Sequence, residues 1–402
     1  MKRNTSNQLQ IETEMRTDMK NLLVGQSGGP TAVINTSLQG VVEAARASGK
    51  VDKIYAARFG AEGILKGDLM DLTDVPAATI SRLAITPASA IGSCRRKLTD
   101  ADYPAVLECF KKFNIRYFFY NGGNDSMDTC NKVYQLAVKS GYELRVIGIP
   151  KTIDNDLAVT DHCPGFGSAA KYAAASALEI AQDAAALPIH VVVMEMMGRN
   201  AGWITAASAL FTGLMPCEHL VYLPETDFDK DEFLAAVKEK WAKGRGLLVT
   251  VSEGIHYAGG APVADSGIVD GFGHKVPGGA AQTLSDMIMN ETGIKSRSEK
   301  PGLLGRTSVA LMSEIDRDEA ELAGATAVRS AVEGQTGYMV GFKTEREGGY
   351  RSETILVPLE QVANAEKTFP PEWITPGGVT DEFRAYCLPL IGEYDTRFVS
   401  LR

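Results

Sequence analysis

Short apolar runs alternate along this chain with longer stretches in which apolar residues recur every three or four positions. NLLVGQ (residues 21–26), KIYAARF (53–59), IRYFFY (115–120) and LRVIGI (144–149) are rich in β-branched and aromatic residues, and read as strands buried on both faces. TAVINTSLQGVVEAARAS (31–48), ADYPAVLECFKKF (101–113), the segment after Asn124 and the alanine-rich SAAKYAAASALEIAQDAAA (168–186) carry helical periodicity. A second series follows, with HVVVMEM, HLVYLPE and GLLVTVSEG as strands and AGWITAASALF and DEFLAAVKEKWA as helices. Strand-helix alternation of this kind predicts parallel sheets covered by helices, and two series predict two α/β halves.

Residues 254–279 are glycine-rich and read as a long surface insertion. Beyond them come two helical stretches (280–292 and 314–333), a strand YMVGF and an irregular tail. The expected partition is a flexible tail over 1–19, a first domain over 20–165, a second over 166–345, and a C-terminal segment, 346–402, packed back on the domains.

Composition narrows the class. The 402 residues are 45% hydrophobic and 23% charged, enough for more than one core. No apolar run approaches the roughly 18–20 residues of a membrane helix, and the polar, acid-containing N-terminus has the expected composition of neither a signal nor a transit peptide. A cytoplasmic protein is the default expectation, without a membrane partner. A net charge of −9 argues against nucleic acid as a partner. The six cysteines are scattered without a CxxC pair, as reduced structural thiols are. His162, His219, His256 and His274 have no ligand spacing, and Trp203 reads as a packing anchor.

Three strand exits hold the candidate chemistry. GQSGGPTAVIN (25–35) brings Gly28 and Gly29 to a helix N-terminus, where amides and dipole favour an anion. NGGNDSMDT (121–129) places an amide, an acid and a hydroxyl at another helix start. GIPKTIDNDL (148–157) follows LRVIGI with a lysine and two aspartates two positions apart, whose carboxylates would share a side in an extended segment. Alone, each is equally a structural turn. Together at one sheet edge they point to phosphoryl transfer, which needs a phosphate cradle, a divalent cation and a base.

SGGPTAVIN, GGNDS, PKTIDND, TDHCPGFGSAAKY and MEMMGRNAGW, in this order, resemble the phosphofructokinase family over roughly residues 20–345. The resemblance implies two doubly wound three-layer α/β domains, one binding donor phosphate and one sugar phosphate, with the active site in the cleft between them. It assigns Asp154 as the base that takes the sugar 1-hydroxyl proton, Asp156 as its assistant, and Thr152 as a contact of the transferring group. Gly28, Gly29 and Arg95 would hold the donor, and Arg199 would stabilise the phosphoryl group in flight. Met197, Gly198 and Glu253 would line the sugar site, with Arg297 and Arg306 on its 6-phosphate.

Donor choice rests on Asp125 and Lys151. Relatives that use ATP carry glycine at both positions. Here an aspartate adds volume and charge where a nucleotide α-phosphate would lie, and a lysine offers a compact cation for a pyrophosphate leaving group. The resemblance therefore implies fructose 6-phosphate and pyrophosphate as substrates, a near-balanced, reversible glycolytic reaction, Mg2+ as cofactor, and a homodimer or homotetramer. An ATP-dependent enzyme, a pyrophosphate-dependent kinase of another sugar phosphate such as sedoheptulose 7-phosphate, and an inactive sugar-phosphate-binding subunit are the rivals. Three positions depart from the family pattern. Asn124 replaces a magnesium-binding aspartate, His190 a substrate-phosphate arginine, and Leu303 a histidine of the 6-phosphate site, for which Lys300 could compensate.

Overall fold

The computed structural model describes residues 20–269 and 275–401. The expected tail, 1–19, lies outside the described residues, as does part of the glycine-rich insertion.

Seven strands form the first sheet: β1 (Lys20–Gln26), β2 (Val51–Ala57), β3 (Leu69–Asp71), β4 (Ile115–Gly122), β5 (Arg145–Pro150), β12 (Tyr338–Glu345) and β13 (Arg351–Pro358), in the order β13-β12-β5-β4-β1-β2-β3. The five central strands are parallel, and the two edges are antiparallel. Alternate residues of β1 serve opposite faces, as a two-sided sheet requires. Leu23 packs with Phe118 and Val146 beneath helices Tyr103–Lys112 and Asn124–Ser140. Leu22 and Val24 pack with Phe119 and Ile147 beneath helices Ile34–Ser48 and Glu314–Val332. From β1 the chain runs outward through β2 and β3, then returns to β4 on the other side of β1. That reversal opens a crevice at the carboxyl ends of β1 and β4, where the SGGP and GGND turns lie.

The second sheet has the order β11-β6-β8-β7 and is wholly parallel, with β6 (Val191–Met196), β7 (Glu218–Tyr222), β8 (Leu247–Ser252) and β11 (Ser296–Glu299). Val193, Val249 and Val251 pack against helices Lys230–Trp241 and Ala280–Thr292, and helix Phe166–Ala186 lies against β6 and β8. This last helix begins at Gly165, which has no capping side chain. Asp316 serves instead, accepting from the amides of Gly165 (2.7 Å) and Ser168 (2.9 Å), as a carboxylate at a helix N-terminus does.

The chain forms two units that are discontinuous in sequence. One holds residues up to Thr152, Leu157–Pro164 and Arg317–Glu366; the other holds Ile153–Asp156, Gly165–Asp316 and the chain from Lys367. This differs from the partition expected at 165 and 345. The expectation puts the helix at 314–332 and strand β12 in the second half, but most of that helix belongs to the first unit and β12 extends the first sheet beside β5. The C-terminal segment is not irregular, since it supplies β13 and helix Asp381–Ile391. Within the insertion, β9 (Asp265–Val269) and β10 (Lys275–Pro277) pair as an antiparallel ribbon. Among the described residues no helix is long and apolar enough to cross a membrane.

Candidate active site

In the first unit, the turn after β1 is tied to its neighbours through the backbone. The Ser27 amide donates to the Asn121 carbonyl and that of Gly28 to the Cys94 carbonyl, both at 2.9 Å. Gly28 has φ +78°, a conformation that favours glycine, and a Cβ there would stand 3.1 Å from the Lys151 ammonium. Lys151 is 4% exposed and donates to the Gly29 carbonyl at 2.8 Å, while its own amide meets Gly122. The lysine of PKTIDND thus lies directly under the SGGP turn. The helices that start at Ile34 and Asn124 both lack a side-chain cap; the Thr36 and Ser126 amides turn back to the carbonyls of Val33 (3.0 Å) and Gly123 (2.9 Å).

Asp125 is exposed and pairs with Lys97 at 3.0 Å, a contact that solvent makes weak. Arg95 is exposed, whereas neighbouring Arg96 is held by Glu62 and Asp102. The segment carrying these cations is pinned from beneath. Buried Asn35 donates to the carbonyls of Thr86 (2.9 Å) and Ala88 (2.6 Å), and Gln26 accepts from Ser89. Asn35 and Gln26 lie outside the three strand-exit motifs' candidate residues. Their signal was a polar side chain at a strand end and another at a helix start in an otherwise apolar pattern.

The chain passes from one unit to the other inside the PKTIDND loop, between Thr152 and Ile153. Thr152 is buried, its amide on the Pro164 carbonyl at 3.2 Å; Asp154 and Asp156 are half-buried. The loop is not extended, because Asn155 between the two aspartates has φ +53°. The alternation argument for aligned carboxylates therefore does not apply.

In the second unit, β6 and β8 end in register at Met196 and Ser252, which brings the loops Met197-Gly198-Arg199 and Glu253-Gly254 together. The Glu253 amide donates to the Met196 carbonyl at 3.0 Å, and Gly198 donates to Glu253 Oε1 at 3.4 Å. Gly198 has φ +132°, and a Cβ would fall 2.5 Å from the Ala201 carbonyl oxygen. Burial raises the Glu253 carboxyl above its ordinary pKa, against the pull of the Gly198 amide, Lys300 and Arg199. Arg199 is exposed beside it.

The 6-phosphate candidates are spread along β11 and the turn after it. Arg297 is exposed and pairs with Glu299 at 2.7 Å, Arg306 is half-buried, and Leu303 is exposed. Lys300 pairs with buried Glu195 at 2.5 Å, whose other oxygen accepts from the amide of Ala281; its charge is already engaged. His190 lies with Arg297 on a cavity of about 530 Å3. Burial and the charges of Arg297 and Lys295 hold it below its ordinary pKa, so it does not replace an arginine's charge at neutral pH.

No three His, Cys, Asp or Glu side chains gather as a metal cage among the described residues. Asn124 and Asp128 stand one helical turn apart, with Asp128 held by Lys132 at 2.8 Å and Asn364 at 3.2 Å. An amide and a carboxylate are ligand types that Mg2+ accepts beside substrate phosphates, where water and phosphate oxygens supply most of its shell.

Residues 21–331 match the family described as Phosphofructokinase. A Halomonas elongata protein named Pyrophosphate–fructose 6-phosphate 1-phosphotransferase is 44% identical over 383 residues, covering 92% of this chain and 91% of that protein. One of that name from Xanthomonas campestris pv. campestris is also 44% identical, with the same coverage. The crystal structure of a pyrophosphate-dependent phosphofructokinase from Nitrosospira multiformis superposes with a TM-score of 0.86 at 41% identity, over 94% of this chain and 93% of that one. Sequence blocks, strand exits and these matches agree, and the chain belongs to the phosphofructokinase family.

Proposed function

We propose that this protein transfers a phosphoryl group from pyrophosphate to the 1-hydroxyl of fructose 6-phosphate, giving fructose 1,6-bisphosphate and phosphate, in either direction. The observation that carries the donor choice is Lys151, an ammonium fixed on the Gly29 carbonyl beneath the glycine turn. A buried, preorganised cation is worth most where a leaving phosphate gathers charge.

In this reading Gly28, Gly29 and Arg95 hold the donor, Lys151 neutralises the departing phosphate, and Asp125 repels the α-phosphate of a nucleotide. Asp154 takes the 1-hydroxyl proton, assisted by Asp156, while Thr152 and Arg199 hold the phosphoryl group. Met197, Gly198 and Glu253 receive the sugar, and Arg297 and Arg306 its phosphate. Asn124, with Asp128 supplying charge, would hold Mg2+, which neutralises the donor phosphates when bound. We further place the protein in the cytoplasm as a homodimer or homotetramer. Exposed Leu187, Ile189 and Met289 around the His190 cavity support association.

The test is formation of fructose 1,6-bisphosphate by purified protein with Mg2+, fructose 6-phosphate and one donor at a time. Turnover with pyrophosphate and none with ATP is expected; turnover with ATP alone would overturn the donor reading. K151G is expected to lower kcat/KM for pyrophosphate by about 10²–10³-fold, as loss of one preorganised donor does, and D125G/K151G to gain measurable use of ATP. The neutral His190 and the engaged Lys300 favour a second acceptor reading, in which another sugar phosphate such as sedoheptulose 7-phosphate is also taken. Comparing kcat/KM for the two sugars decides it.

A further inference from the structure

Asn155 is fully buried and left-handed, at φ +53°, between the aspartate read as the base and its assistant. A residue with a side chain holds that conformation only where its surroundings impose it, and asparagine tolerates it best. What surrounds Asn155 comes from the far end of the chain. Its Nδ2 donates to the Tyr386 phenol oxygen at 3.0 Å, and its Oδ1 accepts from the Lys367 ammonium at 3.3 Å. The Lys367 amide donates to the Asp156 carbonyl at 2.7 Å, so this one residue grips both Asn155 and its neighbour.

These anchors are themselves immobilised. The Lys367 ammonium sits over the Trp203 ring, 5.1 Å from its centroid. The Tyr386 ring lies 5.5 Å from Trp203 and 5.2 Å from Trp373, within an aromatic cluster that includes Phe369 and Phe383. Helix Asp381–Ile391, which carries Tyr386, is capped by Thr380 and tied by Arg384 to the Ala209 carbonyl. Lys367 and Tyr386 lie beyond residue 331, where the family match ends.

We propose that Lys367 and Tyr386 are positioning residues that set the Asp154 and Asp156 carboxylates by holding Asn155 in its left-handed conformation. The proposal rests on the reading of Asp154 as the base. Its physical basis is that a shift of about 1 Å at a reacting group costs roughly 10²-fold in rate.

Y386F keeps the ring and removes the phenol's bond to Asn155; K367M keeps the stem and removes the ammonium, with its bond to Asn155 and its place over Trp203. Each is expected to lower kcat with pyrophosphate and fructose 6-phosphate by about 10- to 100-fold, with both KM values within about threefold. N155G keeps access to positive φ but loses the side chain. In that background Y386F should cost nothing further, because the phenol has no amide left to hold; an undiminished cost would assign Tyr386 to packing alone and overturn the proposal. Amide hydrogen exchange across residues 153–157, which needs no turnover, should quicken in Y386F and K367M while the thermal midpoint stays near wild type. Unchanged exchange or unchanged kcat overturns the proposal. Quickened exchange in a protein inactive with pyrophosphate would sink the functional reading and leave the anchor standing.

Discussion

Replacing Asp154 by asparagine is expected to lower kcat by about 10²–10⁴-fold, the usual worth of a general base. The change keeps the volume of the side chain and removes its basicity, so KM for both substrates should move only a few-fold. The same group that accepts the 1-hydroxyl proton in the forward direction must return it in reverse. With the overall equilibrium constant unchanged, D154N should slow both directions by similar factors, equal to within the changes in KM. Steady-state kinetics from both sides checks this, and a kcat within threefold of wild type would remove Asp154 from the mechanism. N155G is the useful comparison, because it disturbs the same loop without touching the carboxylate.

Replacing His162 by phenylalanine should produce the largest loss of stability. His162 is buried, with Nδ1 3.1 Å from Asp161 and Nε2 2.6 Å from Glu319. Arg346 pairs with Asp161 at 2.7 Å, the Tyr350 hydroxyl donates to Glu319 at 2.6 Å, and Phe342 stacks on the imidazole. Phenylalanine keeps the stacking but faces Glu319 with an apolar ring. Removing one partner of a buried ion pair costs about 3–5 kcal/mol, or roughly 6–20 °C of thermal midpoint in a unit of this size.

The pH dependence has a definite sign. Burial pulls His162 toward its neutral form, but the Asp161 and Glu319 carboxylates outweigh it and raise the pKa above the ordinary 6.5. That contribution is complete below about pH 6.5 and is lost as pH rises through the raised value. Glu319 is pushed up by burial and pulled further down by His162, to below its ordinary 4.5, so its contribution fades as pH falls through the lowered value. The gap between wild type and H162F should therefore be widest from about pH 4.5 to 6.5 and narrow on the alkaline side. A gap independent of pH would mean that packing, not the charge pair, supplies the stability.

Much of the candidate site was legible because its determinants are local. Glycines at Gly28 and Gly198, a lysine after LRVIGI and a carboxylate after VTVS each follow a short apolar run that reads as a buried strand. Strand exits in a parallel sheet face one edge. His162 looked inert because spacing says nothing of Glu319, which lies 157 positions away.

The alternation of strands and helices, the turns at the strand exits, and the identity of the cations and carboxylates offered there follow from the order of residues, since each depends on neighbours a few positions apart. Long-range packing sets which sheet takes β12, turns Asn155 left-handed between two aspartates expected in line, and directs the charge of Lys300 to Glu195. The reason is physical: a strand joins whichever edge leaves hydrogen bonds open, and a side chain pairs with whatever packing brings within about 3 Å. Neither condition is written in the neighbouring residues.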